Sequence, residues 1–338
     1  MVITTHAIVF GCGKIFDNHY RDLLFSCFNN VLLVDPRLED ISFKQSLVLK
    51  AKTINHDISI RCLHNHNSKE IIDKMHGAFV FIFTPHRLHY DKIISSIKAN
   101  AKGVYIEKPV VTSADSWKTI QSLLDQSNTS FWPAYHHFYT SFPKILNNSL
   151  GKVSIKNAKA IRINFVRGSV PVREWGSSFT SREYAGGGVL LDIGAHVFSI
   201  LSTMIYDIHL YEFALKEKLL LKKSEASMLE THVTFNGVIN RKCSIHGEIG
   251  YDIDNKKVPR EIAIELVDST FISWIEGNLY LNGNMVVDEN PQSVLAFKSM
   301  FHDFIEGKVP AYIQKILWNI QSIQQIYGHS YLPPEYDK

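Results

Sequence analysis

Asp192 and His196 are four residues apart and follow a run of three glycines, Gly186–Gly188. Apolar residues recur at helical spacing from 193 to 205, so the pattern predicts a buried amphipathic helix over 192–205. Residues four apart share one face of a helix. A carboxylate that orients an imidazole beside a glycine-lined opening is suited to proton transfer. The competing interpretation is a helix cap followed by a core histidine, and spacing alone does not separate the two.

A second group of residues lies near the N-terminus. Gly11 and Gly13 follow an apolar strand at 7–10, and a second strand at 31–34 ends on Asp35. Strand, glycine turn, helix, strand and acid is the order of a dinucleotide-binding unit. The glycines let the backbone approach a pyrophosphate, and the carboxylate accepts hydrogen bonds from ribose hydroxyls. The order therefore predicts a nicotinamide cofactor site.

Apolar strands separated by helical segments continue as far as a strand at 131–135, which predicts a parallel, doubly wound sheet. Phe16 replaces the third glycine of the fingerprint, so we expect looser helix packing or an altered grip on the pyrophosphate. Ligands of such sheets bind beyond the carboxyl ends of the strands. The residues at those ends are Gly11, Asp35, Thr84, Pro85, Glu107 and Lys108.

From about Gly151 the pattern changes to long alternating segments, which predict a mostly antiparallel sheet packed on helices. The last stretch, 293–327, predicts two helices broken near Gly307 and Pro310. We therefore expect a dinucleotide-binding α/β domain at 1–125 and an α+β domain for substrate binding and oligomerisation at 126–338.

Composition narrows the possible functions of the 338 residues. A net charge of +3 without dense basic blocks gives no support to nucleic-acid binding. The sequence has no signal-peptide pattern and no apolar run that would span a membrane, so we expect a cytoplasmic protein without membrane contact. The four cysteines form no CxxC pair, and the histidine pairs His64/His66 and His86/His89 lack accompanying ligands. We therefore expect no metal.

Arginines and a tryptophan cluster before the glycine run, in what we interpret as a loop. Guanidinium groups bind phosphate or carboxylate at two points, so the cluster suits an anionic substrate. A solvated loop with ordinary ion pairs is the alternative. The residues are Arg162, Arg167, Arg173, Trp175 and Arg182.

Together these motifs resemble the glucose-fructose oxidoreductase/inositol dehydrogenase (Gfo/Idh/MocA) family of NAD(P)-dependent oxidoreductases, over nearly the whole chain. The segments that match the family are Gly11-Cys12-Gly13, Thr84-Pro85 with His89, Glu107-Lys108-Pro109, Gly151-Lys152-Val153, Gly186-Gly187-Gly188 with Asp192 and His196, and Phe301 to Gly307.

The resemblance implies that Lys108 hydrogen-bonds the reacting oxygen of the substrate beside the nicotinamide. It implies that Asp192 and His196 face Lys108 across the cleft and that His196 donates or accepts the proton. The cofactor residues are Gly11, Gly13, Lys14, Ile15, Asp35, Arg37, Thr84, Pro85, His89, Glu107 and Lys108. The substrate residues are Lys108, Tyr135, His137, Arg167, Trp175, Asp192 and His196.

Asp35 favours NAD, and Arg37 keeps NADP possible. The resemblance also implies a homodimer or homotetramer. The chain departs from the family at Ser199, where an acidic residue is common, and at residues 135–138, where an arginine is common.

The function we expect is hydride transfer at a hydroxyl or keto carbon of a sugar, with a nucleotide sugar or other anionic sugar as substrate. A catalytically silent NAD-binding sensor and an imine reductase of natural-product biosynthesis are the alternatives.

Overall fold

The structure is a computed structural model that describes residues 3–64, 69–140, 142–167, 188–223, 230–251, 259–287 and 292–327. It divides into two compact units. The first comprises Met1–Val110, Asp115–Ala134 and Phe297–Pro310. The second comprises Val111–Ala114, Tyr135–Ala296 and Ala311–Lys338.

The first unit is built on a six-stranded, wholly parallel sheet in the order β3-β2-β1-β4-β5-β6. All four residues of β4 are buried, as expected for a strand covered on both faces. This confirms the predicted doubly wound sheet. The strands are β1 Ile3–Phe10, β2 Phe28–Val34, β3 Ser59–Leu63, β4 Phe79–Ile82, β5 Gly103–Glu107 and β6 Ser130–Ala134.

Helices connect these strands in sequence. They are α1 Arg21–Cys27, α2 Ile41–Ile54, α3 Lys69–Met75, α4 His89–Lys98 and α5 Ala114–Leu124. A π-helical turn, Phe16–Tyr20, precedes α1. The expectation of loose packing at Phe16 was wrong, because its ring has no exposed surface and contacts Phe25 edge-on at 5.9 Å between centroids. The chain accommodates the ring through the wider turn.

The first unit differs in extent from the domain that we drew at 1–125. Strand β6 pairs in parallel with β5, so the sheet continues to Ala134. The segment Phe297–Pro310, which we had assigned to the second domain, also belongs to this unit. Within it, Phe301 stacks on Phe81 at 5.7 Å between ring centroids. Tertiary packing of aromatic rings, which has no local sequence pattern, decides this placement.

The second unit contains an eight-stranded sheet in the order β14-β13-β12-β11-β7-β10-β9-β8. It is antiparallel apart from the β7–β10 pair, which confirms the predicted mostly antiparallel sheet. Buried and half-buried residues alternate along β9, as a sheet with one covered face requires. The strands are β7 Ala158–Arg167, β8 Phe213–Lys223, β9 Glu230–Ile239, β10 Cys243–Tyr251, β11 Glu261–Leu266, β12 Phe271–Ile275, β13 Asn278–Leu281 and β14 Asn284–Val287.

Four further helices follow β6 along the chain: α6 Phe142–Leu150, α7 Ala195–Met204, α8 Gln292–Ile305 and α9 Ile313–Tyr327. Helices α8 and α9 are separated by the stretch that contains Gly307 and Pro310, as predicted. None of the helices in the described ranges is long and apolar enough to cross a membrane.

Candidate functional site

The glycine turn of the first unit follows β1 directly. Gly11 has a φ of +87°, and a Cβ atom there would lie 2.6 Å from the carbonyl oxygen of Phe83. A side chain is therefore excluded by both conformation and space. At Gly13 the nearest atom to such a Cβ would be Nη2 of Arg37, at 3.9 Å. The backbone at Gly13 is thus open to a ligand, as a dinucleotide phosphate requires, with Lys14 and Ile15 exposed beside it.

Asp35 directly follows β2 and is buried, and both of its carboxylate oxygens accept hydrogen bonds. Oδ2 accepts from the backbone N–H of Cys12 at 2.7 Å and from Nη2 of Arg37 at 2.8 Å. Oδ1 accepts from Nε of Arg37 at 3.0 Å. Burial alone would raise the pKa of Asp35, but the hydrogen bonds from Arg37 and Cys12 outweigh it and hold the pKa below its ordinary value. The carboxylate is therefore anionic, and Arg37 accompanies it.

His89 connects the two turns that follow β4 and β5. Its Nε2 lies 2.8 Å from the carbonyl oxygen of Thr84, and its Nδ1 lies 2.8 Å from that of Pro109. Burial lowers its pKa, and the ring has no exposed surface. We had predicted His89 as a cofactor contact. In the structure its two ring nitrogens lie beside the carbonyl oxygens of Thr84 and Pro109, so His89 holds the two turns together, and its contact with the cofactor stays a prediction.

Glu107 points into the first unit. Its Oε1 accepts from the hydroxyl of Tyr20 at 2.9 Å, and its Oε2 accepts from the backbone N–H of Lys108 at 3.2 Å. The Tyr20 hydroxyl in turn accepts from that of Tyr105 at 3.1 Å. Burial raises the pKa of Glu107 to about 7. Lys108, the next residue, is half-buried. Glu107 thus anchors the turn that presents Lys108.

In the second unit, Asp192 and His196 lie where the sequence predicts a helix. A π-helical turn, Leu190–Gly194, runs into α7. Asp192 is buried, and its Oδ2 accepts from the Tyr251 hydroxyl at 3.3 Å. His196 is half-buried, and its Nδ1 lies 3.1 Å from Nε2 of His137. His196 therefore differs from a fully buried core histidine, because the residue is half-buried and has a polar partner.

Three imidazoles meet at this point of the second unit. His136 and His137 are adjacent on the 3-10 turn His136–Tyr139, which follows β6. One ring nitrogen of each of His136, His137 and His196 lies within 4.8 Å of the others. Neutral imidazoles of this kind suit first-row transition metals more than Mg²⁺ or Ca²⁺. The sequence predicted no metal because its histidine pairs lack accompanying ligands. This cluster forms only through a tertiary contact between residues 59 positions apart.

The sequence analysis missed Glu230, the first residue of β9. It has no exposed surface, and its Oε1 accepts from the backbone N–H groups of Gly188 at 2.8 Å and Leu190 at 3.3 Å, and from the Tyr327 hydroxyl. Burial raises its pKa. The carboxyl group therefore satisfies N–H groups at the start of the helix that carries Asp192.

The glycine run was predicted to leave space for a ligand. At Gly188 that interpretation was wrong, because a Cβ there would lie 2.2 Å from the carbonyl oxygen of Glu230. The space is filled by protein. Gly186 and Gly187 lie outside the described residues.

The predicted substrate residues have mixed placements. Tyr135 is buried and directly precedes the histidine turn. Arg162 and Arg167 lie in strand β7 and not in a loop, which corrects our interpretation. Trp175, with Arg173 and Arg182, lies outside the described residues.

Comparison with known proteins gives a family and a fold. Residues 5–135 match the oxidoreductase family with an NAD-binding Rossmann fold. A D-glucoside 3-dehydrogenase of Escherichia coli (strain K12) is 26% identical over 122 residues, which are 35% of this chain and 33% of that protein. The match therefore spans about a third of the curated relative.

Two solved structures show the fold over the whole chain. An oxidoreductase domain protein from Kribbella flavida has a TM-score of 0.74 at 13% identity, covering 96% of each chain. The 3-ketoreductase KijD10 from Actinomadura kijaniata, solved with NADP and TDP-benzene, has a TM-score of 0.67 at 11% identity and covers 95% of this chain and 96% of its own. Residues 5–135 thus match the family of NAD-binding oxidoreductases, and the solved structures share the fold over nearly the whole chain.

Proposed function

We propose that this protein is a NAD(P)-dependent oxidoreductase acting on a hydroxyl or keto carbon of a sugar, with a nucleotide sugar or another anionic sugar derivative as substrate. The observation that carries the proposal is the hydrogen bond from the ring of His137 to that of His196. The helical segment of His196 also presents the buried carboxylate of Asp192. Proton transfer needs an imidazole held in a defined orientation, and this pair supplies one.

The residues of the first unit fit the cofactor. Gly11 and Gly13 form a turn without side chains, and Asp35 supplies an anionic carboxylate at the position that contacts ribose. The cofactor supplies hydride chemistry when it is bound. The chain's own part is to bind it at this turn, and Arg37 adds a cation that a 2′-phosphate can use.

We assign proton transfer to His196 and the hydrogen bond to the reacting oxygen of the substrate to Lys108. Nδ1 of His196 is hydrogen-bonded to His137, so the exchange is assigned to Nε2. The ammonium of Lys108 would stabilise negative charge that develops on the reacting oxygen. Asp192, which accepts from the Tyr251 hydroxyl, lies one helical turn before His196 and would supply a negative charge on the same face of the helix.

Two observations support an anionic sugar as the substrate. The first is that the KijD10 neighbour, a 3-ketoreductase, was solved with TDP-benzene. The E. coli relative, a D-glucoside 3-dehydrogenase, supports a sugar but not its charge. In this chain Arg167 lies at the end of β7, and Trp175 and Tyr135 complete the predicted substrate set. Guanidinium groups bind phosphate at two points, which suits a nucleotide diphosphate.

The experiment is a screen of nucleotide sugars, sugar acids and free sugars for changes in nicotinamide absorbance, followed by steady-state kinetics of His196→Ala and Lys108→Ala. Both residues act mainly in the transition state, so we expect kcat to fall by about 10²–10⁴-fold with KM little changed. A thermal melt of each variant is the control. Normal kcat with a lowered melting temperature would show that His196 serves packing only.

A further inference from the structure

Three histidines of the second unit converge on one point. His137 and His196 are joined at 3.1 Å between Nε2 and Nδ1, and the His136 ring lies 4.0 Å from His137 and 5.6 Å from His196 between centroids. All three side chains are half-buried, so ions in solution can reach them. We call His136, His137 and His196 the histidine triad.

The spacing of the triad is close to that of a zinc site. Two nitrogens bound to one tetrahedral Zn²⁺ at its usual Zn–N distance are about 3.3 Å apart. The His137–His196 pair already meets this separation. Since all three ligand atoms lie within 4.8 Å of one another, the third must move by at most about 1.5 Å, which side-chain rotation can supply.

We propose that the histidine triad binds a divalent transition-metal ion, Zn²⁺ above all, through three neutral imidazole nitrogens. In this complex the metal replaces the hydrogen bond between Nε2 of His137 and Nδ1 of His196, and the proton of that bond moves to the other nitrogen of its own ring, so that each ring stays neutral. Three histidine ligands leave the fourth tetrahedral position for water. Mg²⁺ and Ca²⁺ prefer oxygen ligands and do not bind here.

The consequence for activity rests on the proposed function. When the metal binds Nδ1, the neutral ring of His196 carries its proton on Nε2. Nε2 then cannot accept another proton while the ring remains a ligand. The proton exchange assigned to His196 therefore stops while the metal is bound. Zinc is expected to act as a reversible inhibitor that chelation removes.

Binding is tested directly, without turnover. Chelator-treated protein is titrated with ZnCl₂ in a calorimeter and with CoCl₂ in a spectrophotometer. We expect about one saturable site per chain and the visible absorption of tetrahedral cobalt. His136→Asn and His137→Asn should each weaken zinc binding by at least about tenfold. His76→Asn, which removes an exposed histidine of the first unit, is the control and should bind as the wild type does.

Several results would overturn the assignment. The first is that the wild type shows no saturable zinc binding. The second is that the wild type and both triad variants bind zinc with equal affinity while circular dichroism shows that the variants are folded. The third is that the wild type binds Mg²⁺ as strongly as Zn²⁺. If zinc binds as expected and no sugar is turned over, the proposed oxidoreductase activity fails and the metal site stands. If a substrate is found, zinc inhibition is compared with each variant's own zinc-free rate, and inhibition that persists in His136→Asn would refute its link to the triad.

Discussion

Glu107 makes the stability of the first unit depend on pH. The unfolded chain ionises this carboxyl near its ordinary pKa of 4.5, whereas burial raises the pKa in the folded protein to about 7. Between these values the folded state holds a proton that the unfolded state has lost, so stability is complete below about pH 4.5 and falls as pH rises towards 7. One pKa unit corresponds to about 1.4 kcal/mol, so the total loss is about 3 kcal/mol.

Replacing Glu107 with Gln removes the titration. The amide oxygen can still accept from Tyr20 or from the Lys108 N–H, although one of the two hydrogen bonds is weakened, at a pH-independent cost of about 1 kcal/mol. The difference in unfolding free energy, variant minus wild type, should therefore rise by about 3 kcal/mol between pH 4.5 and pH 8. Above the folded pKa both states are ionised, and the difference should level off.

The assay is urea unfolding of the cofactor-free protein at half-unit steps of pH, followed by tryptophan fluorescence. Trp117 and Trp132 are fully buried in the same unit and report its unfolding. Glu39→Gln removes a carboxyl of this unit from an exposed position and provides the baseline curve. A flat difference curve for Glu107→Gln, or one that falls with pH, would refute the reasoning, because Glu107 would then be ionised in the folded protein at neutral pH.

Three further predictions concern packing, cofactor choice and assembly. Gly188→Ala should lower the free energy of unfolding by about 1–3 kcal/mol, because the added Cβ would collide with the backbone of Glu230. Gly194→Ala makes only ordinary van der Waals contacts and should be neutral or stabilising. Equal melting temperatures for the two variants would contradict this. Calorimetry should show tighter binding of NAD than of NADP. Asp35→Ser should shift the ratio of the two affinities towards NADP by at least about tenfold, since the carboxylate that repels a 2′-phosphate is gone while Arg37 remains. Tighter NADP binding by the wild type would refute this prediction. Sedimentation at micromolar concentration should give a dimer or tetramer, because the resemblance to the Gfo/Idh/MocA family implies that a face of the large sheet packs on a second subunit. A clean mass of one chain would exclude both.

Much of the fold could be predicted from the sequence, because it depends on local periodicity. Continuous apolar runs at 7–10 and 31–34 predicted buried parallel strands, and alternation from Gly151 onward predicted the second sheet. The helix that carries Asp192 and His196 was predicted for the same reason. Backbone geometry and burial act within a few residues, so their patterns are visible in the chain itself.

The tertiary structure alone decided which distant side chains meet. No pattern around Glu230 indicates that it holds the N–H groups of Gly188, and none around His136 and His137 indicates His196 as their neighbour. Glu107 and Tyr20, which share a hydrogen bond, are likewise 87 positions apart. Such contacts depend on the packing of whole elements against one another, and the hydrogen bonds and pKa values that follow exist only once that packing has removed the groups from water.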